Sequence, residues 1–181
     1  MKTYRLLTAI SCLFFISCGN RSEMVVKKDD FADITEFLNR EKSELGQGGV
    51  HFIKTVDLNG TRQTKSTDHF DWNRELKPFY ECDLNMLAMI YDYRTDTLLK
   101  GDTTKITYTG IATRLKVSSM TVTYHANDLQ SIEIRTSATN PWLMLARSLY
   151  YQKHLGYSLA ENRKMTLSGE DSLNISVTFK H

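Results

Sequence analysis

The sequence predicts an α+β domain in which a curved antiparallel sheet, a half-barrel or open-barrel meander, carries one or two helices packed near its N-terminus. Three observations lead there. Apolar residues between Phe31 and Leu45 recur at helical spacing. An Asn59-Gly60 dipeptide separates two extended runs, which is the mark of a tight hairpin. From Met86 onward the apolar period becomes two, as in antiparallel strands that bury one face.

Residues 1–17 stand outside that domain. Lys2 and Arg5 form a short positive region, and Leu6 to Ile16 is an apolar run of export-signal length. A membrane-spanning helix needs roughly 20 apolar residues, more than this run supplies. Phe15-Ile16-Ser17-Cys18 resembles the lipobox of bacterial lipoproteins, with a small residue before the cysteine and Gly19 after it. Phe15 stands where that family usually carries Leu. Cys12 is a competing match, but cleavage there leaves the apolar Leu13–Ile16 run on the mature chain. Cys18 is therefore the expected lipidation site. The resemblance implies a diacylglycerol thioether and an N-acyl chain, palmitate-like in kind. Each buried methylene contributes about 0.8 kcal/mol, and stable anchoring takes more than one chain.

Residues 18–28 follow as lipidated cysteine and polar tether, and residues 29–181 as a single domain, long enough for a real core. Asp30 is the expected N-cap of the first helix and Gly46 its terminator. The hairpin comes next. Its second arm, Thr61–Thr67, is polar on both faces and predicts a solvated edge. Trp72, Leu76, Phe79, Tyr80 and Leu84 recur near helical spacing, but Pro78 interrupts them. That predicts two short helical pieces or one kinked helix.

The meander then begins. Ile106 and Tyr108 mark one strand. Leu115, Val117, Val122 and Tyr124 mark another, bent at Ser118-Ser119, and Ile132 with Ile134 mark a third. Leu173, Ile175, Val177 and Phe179 close the chain. Asn140–Tyr151 is ambiguous. Trp142, Leu145, Ala146, Leu149 and Tyr150 have helical spacing, whereas a strand would align Leu143, Leu145, Leu149 and Tyr151 on one face. The strands on either side favour a continued meander.

Charge and cysteine content exclude several function classes. The whole chain is formally +2, and both excess charges are Lys2 and Arg5 of the leader. The mature part is neutral, so it offers no basic field for nucleic acid. With Cys12 removed and Cys18 acylated, Cys82 is the remaining cysteine and has no intramolecular disulfide partner. A lone cysteine is more often a small core hydrophobe than a nucleophile.

The arrangement Asp71-Trp72, Glu75-Leu76, Phe79, Cys82-Asp83-Leu84-Asn85, followed by Ile132-Glu-Ile, Asn140, Leu149-Tyr150-Tyr151, Gly156-Tyr157 and a terminal Ser172–Phe179 strand, resembles a group of uncharacterised Bacteroidota envelope lipoproteins. The resemblance covers about residues 30–181 and brings no activity with it. In architecture the expected sheet also resembles the half-barrel of periplasmic lipoprotein carriers, a likeness of fold alone. Asp96-Thr97-Leu98, Asp102-Thr103-Thr104 and Asp171-Ser172-Leu173 resemble the O-glycosylation tripeptide of those bacteria. That implies Thr97, Thr103 and Ser172 as acceptors. Turns and strand starts use the same residues for ordinary reasons. Gly19–Glu23 lacks the acidic run that resembles a surface-export signal, so the expected location is the outer membrane, facing the periplasm.

Chemistry is sparse. The five histidines are far apart in sequence, and none shares zinc-like spacing with a cysteine or second histidine; His69 with Asp71 comes nearest to a paired ligand set. Glu75, Glu81 and Asp83 are carboxylates near one helix, a common solvated pattern. No nucleophile elbow, phosphate loop or dinucleotide fingerprint occurs. No cofactor and no metal site is expected. Of the aromatics, Trp72 and Trp142 are the candidates for lining a ligand groove on a curved sheet. Two function classes follow: a non-enzymatic binding lipoprotein acting on a lipid, glycan or envelope protein, and an envelope hydrolase with an unrecognised site.

Overall fold

The computed structural model describes residues 31–87, 90–167 and 169–180. The leader, Cys18, Asp30 and the tether lie outside the described residues. Asp33, three residues beyond the expected cap, starts helix α1 (Ile34–Gln47) by accepting a hydrogen bond from the Glu36 N–H at 2.8 Å. Ile34, Phe37, Leu38, Glu41 and Leu45 form its buried stripe. The helix runs through Gly46, and Gly48 caps it through its N–H on the Leu45 carbonyl. The end thus falls beyond Gly46, the expected terminator, and Gly49 just past the cap is left-handed at φ 62°.

Strands β1 (His51–Leu58) and β2 (Thr61–Thr67) form the expected hairpin. Asn59 and Gly60 both have positive φ, as a type I′ turn requires. Every residue of β2 is exposed or nearly so, in keeping with a solvated edge. Helix α2 (Trp72–Tyr80) is capped by Asp71 and holds Pro78 in its last turn, and a short helix α3 (Leu84–Leu87) follows after a break. The segment is two pieces, but the break falls after Tyr80 and not at Pro78, which α2 accommodates. A 3-10 turn (Ile90–Asp92) leads into β3 (Tyr93–Lys100).

The rest is a meander: β4 (Thr103–Gly110), β5 (Val117–His125), β6 (Asp128–Asn140), β7 (Leu143–Gln152), β8 (Gly156–Met165) and β9 (Gly169–Lys180). Segment 143–152 is a strand, with Leu149 and Tyr151 buried and Met144, Ser148 and Tyr150 exposed. Register slips between Val117 and Ser119, where the serines predicted a bend. Gly156 is obligatory: its φ is 138°, and a Cβ there would lie 2.0 Å from the Val177 carbonyl oxygen.

The strands form one nine-stranded antiparallel sheet in the order β2-β1-β9-β8-β7-β6-β5-β4-β3. Its two edges, β2 and β3, do not meet, so the sheet is open. The first hairpin docks on the last strand, with Phe52 opposite Phe179 and Leu58 opposite Leu173. The three helices, all before β3 in the chain, cover one face. Phe37 and Phe79 each meet Tyr151 edge to face at 5.7 and 5.9 Å, and Phe79 meets Tyr157 at 5.8 Å. Tyrosine hydroxyls stitch the layers. Tyr108 accepts from the Ala32 N–H at 3.1 Å, Tyr151 donates to Glu41 at 3.2 Å, and Tyr157 donates to Glu75. Glu75 also takes both bonds of Lys54, at 2.7 and 2.6 Å. Each hydroxyl thereby satisfies a polar group that burial would otherwise strand.

Candidate functional site

Four strands outrun their neighbours. Pairing of β5 with β6 ends at Val117 opposite Thr136, and pairing of β1 with β9 ends at Leu58 opposite Leu173. Beyond those levels β6, β7, β8 and β9 continue for four residues more, paired with each other alone. At about 3.4 Å per residue this tongue projects roughly 14 Å. Among the described residues no helix covers it, and it is exposed along most of its length on both faces.

The tongue nonetheless keeps an apolar complement. Trp142 at the β6–β7 turn is 69% exposed, Met144 55%, Met165 36%, and Leu167 at the β8–β9 turn 91%. On the face away from the helices lies an open depression of about 580 Å³, lined by Ser137, Met144, Ala146, Asn162, Lys164 and Ser172. A neighbouring one of about 620 Å³ reaches Pro141 and Leu167. At the tongue's root the helix-facing side carries a charge cluster. Arg147 donates twice to Glu161, at 2.9 and 2.5 Å, and Arg163 adds a bond at 3.1 Å. The described chain enters at this same end, since Phe31 packs 5.5 Å from Tyr93, the first residue of β3.

The candidates from sequence scatter. Trp142 sits at the tongue's tip. Trp72 instead lies within an aromatic cluster with Phe52, Phe70 and Phe179, partly buried against the core. Thr97 is exposed on edge strand β3, Thr103 is half-buried where β4 starts, and Ser172 is half-buried beside Asn59, which accepts from its N–H at 2.7 Å. Asp71 caps α2 through its Oδ1, and it forms no cluster of three potential ligands with His69 among the described residues. Glu75, Glu81 and Asp83 do not converge. Lys54 and Tyr157 hold Glu75, Lys77 and Lys116 flank Glu81, and Thr35 donates to Asp83 at 2.6 Å. Cys82 is buried, and burial pushes its thiol up, opposite to what a thiolate nucleophile needs.

Two histidine clusters escape a reading by spacing. His51 Nδ1 lies 2.5 Å from Asp68 Oδ1, and its Nε2 meets the Ser66 hydroxyl. The connectivity is that of a Ser-His-Asp triad. Its setting differs. Asp68 is 79% exposed in its side chain rather than buried, and the nearby small cleft of about 130 Å³ opens among Phe52, Lys54, Lys65 and Thr67. By strand alternation those residues belong to the other face of the sheet. A scissile carbonyl held in that cleft would therefore lie across the sheet from the Ser66 hydroxyl. The hairpin register held the signal, because a two-residue turn at 59–60 sets His51 opposite Asp68.

The second cluster joins α1 to the β7–β8 turn. Glu41 and Glu44, one helical turn apart, face His154, whose Nε2 lies 3.1 Å from Glu41 Oε1 and 3.0 Å from Glu44 Oε2. These are the residues best placed to hold a metal ion, their ligand atoms all within 4.8 Å of one another. No protein-family model and no curated protein matches this chain. The fold and site therefore define only a class: an open antiparallel sheet with a helical layer on one face and an uncovered apolar tongue.

Proposed function

We propose that the protein is a non-enzymatic envelope lipoprotein, anchored through Cys18 in the outer membrane and facing the periplasm, whose tongue rests on the lipid surface beside its anchor. In this reading the sheet curls around its helices as a half-barrel. The observation that carries it is the gathering of exposed Trp142, Met144, Met165 and Leu167 on a projection at the end where the chain enters. An indole at a turn tip suits the membrane–water interface, where one side of the ring is apolar and the other wet. The mature part is formally neutral, so its net charge supplies no attraction to anionic headgroups.

Weak insertion suffices once the anchor is in place. The tether of about ten residues spans at most ~35 Å when extended. An anchor that close raises the local concentration of bilayer to the millimolar range, so each small apolar contact acts as an intramolecular one.

The test reconstitutes the lipidated full-length protein in phosphatidylcholine vesicles carrying brominated acyl chains. Wild-type fluorescence is expected to be quenched well beyond that of Trp142→Phe, whose remaining emission comes from Trp72. Equal quenching would overturn the reading, as would photocross-linking at position 142 that captures a protein rather than lipid. The hydrolase alternative has one specific observation, the Ser66-His51-Asp68 connectivity. A fluorophosphonate probe is expected to leave Ser66 unlabelled; labelling abolished by Ser66→Ala would favour hydrolysis.

A further inference from the structure

We infer that Glu41, Glu44 and His154 form a binding site for a first-row divalent cation, with Zn²⁺ the best match. Glu41 is fully buried, and its Oε1 receives no hydrogen bond. Its other oxygen is served twice, by the Tyr151 hydroxyl at 3.2 Å and the His154 N–H at 2.8 Å. Oε1 points instead at His154 Nε2, 3.1 Å away but off the hydrogen-bond direction. That nitrogen already engages Glu44 Oε2 at 3.0 Å. One ring N–H serves one oxygen, and an orphaned buried carboxylate oxygen costs several times a normal hydrogen bond. A cation among the three atoms serves them all.

The spacing fits. Zinc bonds of about 2.0–2.2 Å to nitrogen and oxygen give tetrahedral edges of about 3.3–3.5 Å. The two edges at His154 Nε2, 3.1 and 3.0 Å, need to open by only a few tenths of an ångström. Two carboxylates and a neutral imidazole balance the dipositive charge, and imidazole suits zinc better than calcium or magnesium. Tyr151 and the His154 backbone fix the Glu41 carboxylate from behind, as the outer partners of metal ligands do. Glu44 and His154 are half-exposed, which leaves a fourth position to water. The ligands come from α1 and from a turn 110 residues later, so the ion would clamp the helical layer to the sheet.

The experiment uses the full-length lipidated protein in detergent, stripped with EDTA and titrated with Zn²⁺ against a chromophoric chelator. One Zn²⁺ per chain is expected, together with an upward shift of the melting midpoint. Glu44→Gln and His154→Gln are expected to weaken binding at least tenfold and abolish that shift. Tyr151→Phe, which removes an outer partner, is expected to cost about tenfold. X-ray absorption of the wild-type complex provides a readout that needs no variant: one imidazole with oxygen ligands and no sulfur. Absence of stoichiometric binding, binding indifferent to both substitutions, or a sulfur ligand from Cys82 would each overturn the inference.

Discussion

The two halves of strands β6 to β9 obey one alternation and meet opposite fates. Toward the β7–β8 turn, Ile132, Ile134, Leu149, Tyr151, Tyr157, Leu159, Val177 and Phe179 are buried under α1 and α2. Toward the tongue, Leu143, Leu145, Leu173 and Ile175 continue the same face but are only half-buried. The backbone pairing is equally complete in both halves. Hydrogen bonding therefore builds the sheet, while the helices decide where it becomes core. Burial at about 25 cal/mol per Å² stabilises the covered half, and the same chemistry left open on the tongue is available to a partner.

The largest effect separating the halves belongs to Phe79, fully buried and in edge contact with both Tyr151 and Tyr157. Phe79→Ala is expected to cost about 3–5 kcal/mol in urea unfolding, because a cavity remains where two rings lose their partner. A loss below about 1 kcal/mol would mean that the helical layer is not what makes this half a core.

Next in size is the polar clamp between the layers. Lys54→Met strips the Glu75 carboxylate, 8% exposed, of its two shortest ionic bonds and leaves only the exposed Arg74 guanidinium 3.6 Å away, and is expected to cost about 3 kcal/mol. Burial by itself would raise the Glu75 pKa, but the bonds from Lys54 and Tyr157 outweigh it and hold the carboxyl below its usual range. A depressed acid contributes stability that is present above its unfolded pKa of about 4.3 and is lost as pH falls through the folded value. Tyr157 works with the opposite sign: burial, then Glu75, pushes it well up. Its contribution is intact below pH of about 10 and is lost as pH rises toward the folded value. Stability measured against pH should thus fall on both sides, and Lys54→Met should flatten the acid limb. An unchanged acid limb would show that this clamp contributes nothing.

What the sequence made legible follows the same division between local and distant causes. The Asn59-Gly60 turn, the helix stripe and the terminal alternation rest on neighbours, and each was readable. Strand β7 was decided by its flanking strands, because Leu145 and Leu149 fit a helix period as well as a strand. Strand β8 gave little signal: Ala160, Glu161, Asn162, Arg163 and Lys164 alternate no apolar residues once the helical cover ends. The helix starts at Asp33 and not at Asp30 because three aspartates precede the stripe, and local sequence does not choose among them. Trp72 and Trp142 look alike in sequence, yet one fills an aromatic cluster and the other caps a free tip. The Glu41–Glu44–His154 cluster was invisible because its partners are 110 residues apart and meet only once β7 and α1 are both in place.

The smallest stability effect sharpens the comparison most. Leu167→Ser and Met144→Ser, on the tongue, are expected to change unfolding free energy by less than about 0.5 kcal/mol, since neither side chain leaves a cavity behind. The pair should still reduce association of the anchored domain with its vesicle, read as weaker quenching of Trp142. Apolar side chains whose removal leaves stability unchanged but weakens association mark a contact surface, and that asymmetry distinguishes it from an unfinished core. If both substitutions instead lowered stability by 2 kcal/mol or more, the tongue would have to fold back on apolar surface of its own, and its exposed face would no longer be free for lipid.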